Sequence, residues 1–361
     1  MLPFAVEPTS NPTPADARDA ALADPGFGKL FTDHMVVVRY DEDKGGWHDA
    51  KVTARAPIPM DPASSVLHYA QEIFEGMKAY RLSDGSTALF RPDANARRFN
   101  ESAARMAMPA VPPELFIESV EQLVRIDSDW FPKVDGGALY LRPFMFASEV
   151  FLGVRPAKQY LFITIASPVG AYFKGGVAPV TIWVSQHYTR AAPGGTGAAK
   201  CGGNYAASLV AQAEATAQGC DQVVFLDAAE HKWVEELGGM NLFFVFEDGS
   251  IITPPLTGTI LPGITRNSII ELARGQGLTV REEPYSIDQW RSDAQSGKLR
   301  ETFACGTAAV VTPVGTVKSP QGSFTIGGNQ SGPVTAALRS ALVSIQRGDA
   351  ADPHGWVHRI G

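Results

Sequence analysis

Cysteine is scarce in this chain. Its three cysteines, Cys201, Cys220 and Cys305, are odd in number and have no metal-type spacing, which excludes a disulfide framework and a zinc knuckle and suits the reduced thiols of an intracellular protein. Long apolar runs are lacking, so no membrane-spanning helix is expected. Basic runs are lacking too. Lys+Arg is 31 against 38 for Asp+Glu, a net charge of −7, and nothing in that balance suits nucleic acid. Residues 1–26, rich in Pro, Ala and Asp, lack the basic start and apolar core of a secretory signal and are expected to form a loose arm or a segment draped over the body. There is no internal repeat and no low-complexity block. No glycine-bearing segment reads G-x-G-x-x-G between a strand and a helix with an acid on the next strand, which excludes a dinucleotide site.

With 361 residues and 45% hydrophobic content, the chain can bury two separate cores. Residues 31–56 read as a hairpin turning at DEDKGG, and 77–91 as a second turning at SDGS. A helix follows Arg91, with Pro92 in its first turn, and 114–131 carries apolar residues at helical spacing. ALYLRPFMF (138–146) and YLFITIAS (160–167) read as buried strands. Tyr140 and Arg142 share one face of the first, since strand side chains alternate, and an arginine there is costly without an anion or polar partners. A buried ion pair and recognition of a substrate carboxylate are both open for Arg142. The Gly-rich stretch around 170–176 suits a linker. In the second half, VVFLD (223–227) reads as a strand, 240–255 as a hairpin turning at EDGS, 264–277 as a helix, LTVREEPY (278–285) as a strand and 286–298 as a helix. Residues 301–328 read as strands and a hairpin, and 331–348 as a helix with a short tail.

The stretch around which these parts are organised is AAPGGTGAAKCGGNY, residues 191–205. Lys200 stands among Ala, Gly, Thr and Pro with no acid inside the run. An apolar strand precedes it and a helical pattern, 205–219, follows. Small neighbours let a bulky ligand approach the backbone, and a lysine kept from water favours the neutral amine, a usable nucleophile and base. Cys201 beside it reads as a small buried filler. Glu235 and Glu236 precede two glycines and an apolar strand, so one of the pair can be solvated and the other held inward. Gly263 precedes a helix whose first N–H groups, from Ile264 and Thr265, can cradle a phosphate.

GTGAAKCGGNYAAS, with EELGGMN, LPGITR and ACGTAAVV downstream in that order, resembles the branched-chain amino acid aminotransferases, and the resemblance runs from about Phe27 to the C-terminus. It implies an α/β chain of the α+β type in the two-domain fold type IV of pyridoxal-phosphate enzymes, with the active site at the domain interface. The expected division is a small N-terminal domain over 1–173, a linker over 174–181 and a large domain over 182–361 that carries Lys200. It also implies pyridoxal 5'-phosphate as cofactor, with Lys200 as the Schiff-base lysine and catalytic base, and Tyr205 hydrogen-bonding the cofactor's phenolic oxygen. Glu236 would face the pyridine nitrogen, and Arg91, Ile264, Thr265 and Thr307 would take the phosphate. Phe31, Tyr69, Phe74, Tyr140, Arg142, Tyr172, Gly239 and Ala308 are the implied substrate positions, and Leu152 and Val154 lie on a loop that would reach a neighbouring subunit's pocket.

The implied reaction is reversible amino transfer between leucine, isoleucine or valine and 2-oxoglutarate, giving a branched 2-oxo acid and glutamate, in a cytoplasmic homodimer. Relatives with a Cys-x-x-Cys just after residue 308 have a thiol switch. Here those places are Ala309 and Thr312, so the switch is expected to be missing. A sister enzyme of the same fold, such as a D-amino acid aminotransferase or aminodeoxychorismate lyase, would share Lys200 and Glu236, but HYAQEIFEGMKAY and ALYLRP argue against it. A non-catalytic carrier of the cofactor would keep the lysine and phosphate site without a keto-acid pocket.

Overall fold

The structure, a computed structural model, describes residues 2–134, 136–170 and 178–361. Its contacts divide the chain into two compact units. The first gathers Met1–Tyr172, Ala199–Gly202 and Ile345–Gly361; the second gathers Phe173–Ala198 and Gly203–Ser344. The lysine segment and the C-terminal tail, expected with the second half, therefore belong to the first unit. The first half of the expected linker, 174–177, falls outside the described residues, and its last two residues, Val180 and Thr181, open a strand of the second unit.

The first unit is built on strands β1 (Ala5–Val6), β2 (His34–Asp41), β3 (Gly46–Ala54), β4 (Glu72–Phe74), β5 (Met77–Arg81), β6 (Thr87–Phe90), β7 (Ala138–Ala147) and β8 (Gln159–Val169), with helices α1 (Ala15–Leu22), α2 (Val66–Tyr69), α3 (Pro92–Arg105) and α4 (Pro113–Ile126). Neighbours run β1-β3-β2-β8-β7-β5-β6, with β4 beside β7. All these pairs are antiparallel except β1 with β3. Both expected hairpins are present. α4 ends at Ile126, before the expected end, because Asp127 turns inward. Its carboxylate takes the N–H and Nδ1 of His34, the latter at 2.7 Å. Phe99, Phe116 and Phe162, all fully buried, bring α3 and α4 onto the sheet. Of the two readings of the N-terminal residues, the draped segment is the one found. β1 pairs with β3, Leu22 is buried in the core, and Thr9 N–H donates to His34 Nε2 at 3.0 Å.

The second unit carries β9 (Val180–Val184), β10 (Gln222–Leu226), β11 (Val234–Leu237), β12 (Met240–Phe246), β13 (Ile251–Thr253), β14 (Val280–Glu282), β15 (Leu299–Gly306), β16 (Val310–Ser319) and β17 (Gly322–Thr325). The path β11-β10-β9-β16-β15-β12 closes on itself because β11 also pairs with β12. A closed ring of strands leaves no edge. β10 is buried on both faces. Val224 and Leu226 join the main core, while Val223 and Phe225 pack on Ala211 and Ala215.

The helical pattern expected over 205–219 is two helices, α5 (Gly202–Ala206) and α6 (Leu209–Ala217). The break falls at Ser208, whose hydroxyl donates back to the Tyr205 carbonyl at 2.7 Å and competes with the helical ladder. α7 (Ile264–Gly275) and α8 (Ile287–Ser296) lie where expected, α8 opening on a Ser286–Gln289 capping box. The strand expected over 278–285 shrinks to three residues. After α9 (Pro333–Gln346) the tail is not irregular: β18 (Val357–Ile360) pairs antiparallel with β6 and ends the first unit's sheet.

Candidate active site

Lys200 lies in no helix or strand, so its backbone groups need partners from elsewhere. They find them in the first unit. Its N–H donates to Ser102 Oγ on α3 at 2.9 Å, and its carbonyl accepts the N–H of Phe74 on β4 at 3.0 Å. Ala199 and Cys201 on either side are buried in that unit's core. The Lys200 ammonium position stands 4.8 Å from the centre of the Phe74 ring, and the Arg142 guanidinium stands 4.7 Å from the same ring. Both distances are in the range of attraction between a cation and a π face.

Arg142 and Tyr140 share one face of β7, as the alternation requires, and Arg142 Nη2 donates to the Tyr140 hydroxyl at 3.1 Å. Arg142 Nε is buried with no hydrogen-bond partner among the described residues. The buried ion pair left open for Arg142 is not found among the described residues; its partners are a hydroxyl and two rings. Tyr140 also meets Phe27 edge-on at 5.1 Å. Tyr69 donates its hydroxyl to the Leu152 carbonyl at 2.5 Å. Leu152 and Val154 are exposed, Val154 at 88%. Phe31 is half-buried under Arg55. Tyr172 lies outside the described residues.

Arg91 caps α3 from a left-handed backbone conformation, φ 52°, which costs a non-glycine residue on the order of 1–2 kcal/mol. Its N–H donates to the Trp356 carbonyl at 2.8 Å, and its guanidinium lies 5.0 Å from the Trp356 ring centre.

In the second unit, Glu236 is buried to 1% exposure. The β11–β12 register sets it opposite Asn241. Glu236 Oε1 accepts from Asn241 Nδ2 at 3.2 Å and from the Leu261 N–H at 3.0 Å, and Oε2 lies 2.6 Å from Nε of buried Arg190. Asn241 Nδ2 also donates to the Leu261 carbonyl. A Cβ on Gly263 would overlap Asn241 Oδ1, so only glycine fits there. Gly263 gives α7 no side-chain cap, and the first amides of that helix, including those of Ile264 and Thr265, need acceptors from outside it. Thr307 and Ala308 form the turn from β15 to β16. It closes on Val310, a β-branched residue at φ 64°, an outlier that costs on the order of 1–3 kcal/mol and clusters at ligand clamps. The Tyr205 ring runs against Gly239, where an added Cβ would meet it at 3.2 Å.

Glu235 is a correction. It is not solvated but 8% exposed, and Thr259 Oγ1 donates to its Oε1 at 2.5 Å. Burial pushes its carboxyl above the usual range. The three cysteines are buried, and burial pushes the thiols of Cys305 and Cys220 up, which suits fillers rather than nucleophiles. Arg190, Asn241, Glu72 and Ser102 were not legible as site residues. None of the four carried a local signal: Arg190 stands in the polar run QHYTR, residues 186–190. Among the described residues no cluster of His, Cys, Asp and Glu can hold a metal ion.

The chain belongs to the class IV amino-transferases, whose family pattern matches residues 72–317. It is 57% identical over 356 residues to the probable branched-chain-amino-acid aminotransferase of Streptomyces coelicolor, covering 98% of each chain. It is 55% identical to the branched-chain-amino-acid aminotransferase of Mycolicibacterium smegmatis, covering 99% of this chain and 98% of that one. The fold is the type IV fold of those enzymes: the branched-chain amino acid aminotransferase from Escherichia coli superposes with a TM-score of 0.74 at 29% identity, covering 91% of this chain and 99% of that one.

Proposed function

We propose that this chain is a pyridoxal-phosphate-dependent branched-chain-amino-acid aminotransferase. It moves the amino group of leucine, isoleucine or valine reversibly to 2-oxoglutarate, giving the branched 2-oxo acid and L-glutamate. The observation that carries this reading is the Phe74 ring, with the Lys200 amine and the Arg142 guanidinium both within about 5 Å of its centre, near enough for each to attract its π face. An amine serves a carbonyl carbon, a cation serves a carboxylate, and the ring offers apolar room for a branched side chain.

The donor set fits the cofactor. The uncapped start of α7 and Arg91 suit a phosphate, and Glu236 meets a cation and two donors, so its oxygens accept and suit a protonated ring nitrogen. When bound, pyridoxal phosphate supplies the electron sink and carries the amino group between substrates. Lys200 Nζ would hold the cofactor through its amine, and the same amine, when free, would serve as the base for the substrate Cα proton. Tyr205 would donate to the cofactor's phenolic oxygen, and Arg91, Ile264, Thr265 and Thr307 are the residues that would hold its phosphate. Phe31, Tyr69 and Tyr140 would line the side-chain room with Phe74, Arg142 would take the distal carboxylate of glutamate, and Gly239 and Ala308 would lie along the substrate. The enzyme acts as a cytoplasmic homodimer in which Leu152 and Val154 reach the partner subunit's pocket. No helix among the described residues is long and apolar enough to cross a membrane.

A panel of amino donors with 2-oxoglutarate tests the reading. Leucine, isoleucine and valine should each bleach the cofactor's absorbance band and yield glutamate. Turnover of D-alanine without leucine would instead indicate a sister enzyme of the same fold, and binding without any turnover a carrier.

A further inference from the structure

Among the described residues, three hydrogen bonds tie the backbone of Lys200 and Gly202 to other residues of the first unit. Two are the Lys200 N–H on Ser102 Oγ and the Phe74 N–H on the Lys200 carbonyl. The third lies two residues on, where Gly202 N–H donates to Oε1 of Glu72, the residue that opens β4. A Cβ on Gly202 would overlap that same oxygen, so the close approach needs glycine. Phe74 and Glu72 are alternate residues of one three-residue strand, and β4 is itself paired to β7, the strand that carries Arg142. Burial pushes the Glu72 carboxyl up, while the Gly202 amide and the Arg142 charge pull it down.

We propose that Glu72 and Ser102 are positioning residues for Lys200, acting through its backbone rather than on the reacting atoms. This rests on Lys200 being the lysine that holds the cofactor. Such an amine is released and recaptured in every cycle, at the end of a flexible four-carbon stem, and its return depends on a fixed Cα. Misplacement by about 1 Å can cost on the order of a hundredfold in rate. Lys200 has no helix or strand to fix it. Ser102 and the Phe74 amide hold both of its own backbone groups, and Glu72 holds the segment's exit. Because β4 also presents the Phe74 ring, the same short strand sets the lysine's backbone and the surface its amine lies on.

The test compares wild-type holoenzyme with Ser102→Ala, Glu72→Ala and Glu72→Gln. Amide exchange over residues 199–205, read by mass spectrometry, should quicken roughly tenfold or more in both alanine variants, the scale for losing a hydrogen bond to a hydroxyl or a charged acceptor. The kcat for leucine should fall by a similar factor, with KM within about twofold. Glu72→Gln keeps an oxygen that can accept the Gly202 amide, so it should retain most of the protection and most of kcat. Unchanged exchange in both alanine variants, or unchanged kcat despite faster exchange, overturns the proposal. Equal damage from Gln and Ala also overturns it, because the charge of Glu72 and not its hydrogen bond would then matter. Borohydride reduction of wild-type enzyme with peptide mapping checks the underlying reading separately. Cofactor found on a residue other than Lys200 sinks that reading and leaves the exchange result standing.

Discussion

Two adjacent carboxylates show how far a neighbour's chemistry decides a residue's role. Glu236 faces a cation and two donors, whereas Glu235 has one hydroxyl on Oε1 and no partner on Oε2 among the described residues. Burial raises the Glu235 carboxyl above its ordinary 4.5, against the pull of Thr259 and Arg190. The folded state therefore binds that proton more tightly than the unfolded state. Between the ordinary and the raised value the native protein carries the extra proton, so stability falls as pH rises through that window. Glu235→Gln removes the titration and keeps an acceptor for Thr259. Its melting temperature relative to wild type should rise as pH increases from about 4 toward neutrality, with little change in turnover. A difference that shrinks with pH would show that the charged form is the stabilised one. Glu236→Gln is harsher: it should abolish most turnover and also leave Arg190 buried without its counter-charge, at about 3–5 kcal/mol. Adding Arg190→Met should recover much of that stability without recovering turnover. Recovery of both would remove Glu236 from the chemistry.

At the scale of elements, what the sequence disclosed was local. The turns DEDKGG, SDGS and EDGS announce three hairpins, and the alternation along β7 places Tyr140 and Arg142 together. What it hid was long-range. Ser102 and Glu72 lie 98 and 130 residues from their partners in the lysine segment, and no local pattern encodes such a pairing. The closure of the second unit's sheet is hidden for the same reason, since nothing local in residues 234–237 names the two strands β11 pairs with. Even one helix was misjudged, because the apolar period across 205–219 is unbroken while the Ser208 hydroxyl ends the ladder. The β7 reading can be pressed further. Arg142 has a hydroxyl and two aromatic faces around it but a buried Nε without a partner among the described residues, a setting that an incoming carboxylate would complete. Arg142→Met should weaken the glutamate half-reaction by about 2 kcal/mol or more and the leucine half-reaction much less. Single-turnover absorbance with each amino acid alone measures the two separately. An equal fall in both would make Arg142 structural, or a ligand of the carboxylate common to all substrates.

For the molecule as a whole, the chain's last residues complete its first unit. β18 pairs with β6, and Arg359 reaches Asp84, 275 residues back. Contacts of that span form late because the intervening chain must first be closed into a loop. Their consequence is local to Arg91. The Trp356 carbonyl takes the Arg91 N–H, and the Trp356 ring, edge-on to Phe90 at 5.7 Å, lies against the guanidinium. An arginine held in a left-handed conformation at a helix start keeps it only where its surroundings over-determine it, and here Trp356, just before β18, supplies part of that surrounding. Trp356→Ala should therefore loosen the phosphate end of the cofactor while leaving its other contacts alone. Losing a cation–π contact of about 0.5–2 kcal/mol corresponds to a roughly 2- to 30-fold weaker affinity. The affinity of apoenzyme for pyridoxal phosphate should fall by that factor, and its affinity for pyridoxal, which lacks the phosphate, should hardly move. If both ligands weaken alike, the C-terminal strand supports the unit in general, and Arg91 owes it nothing in particular.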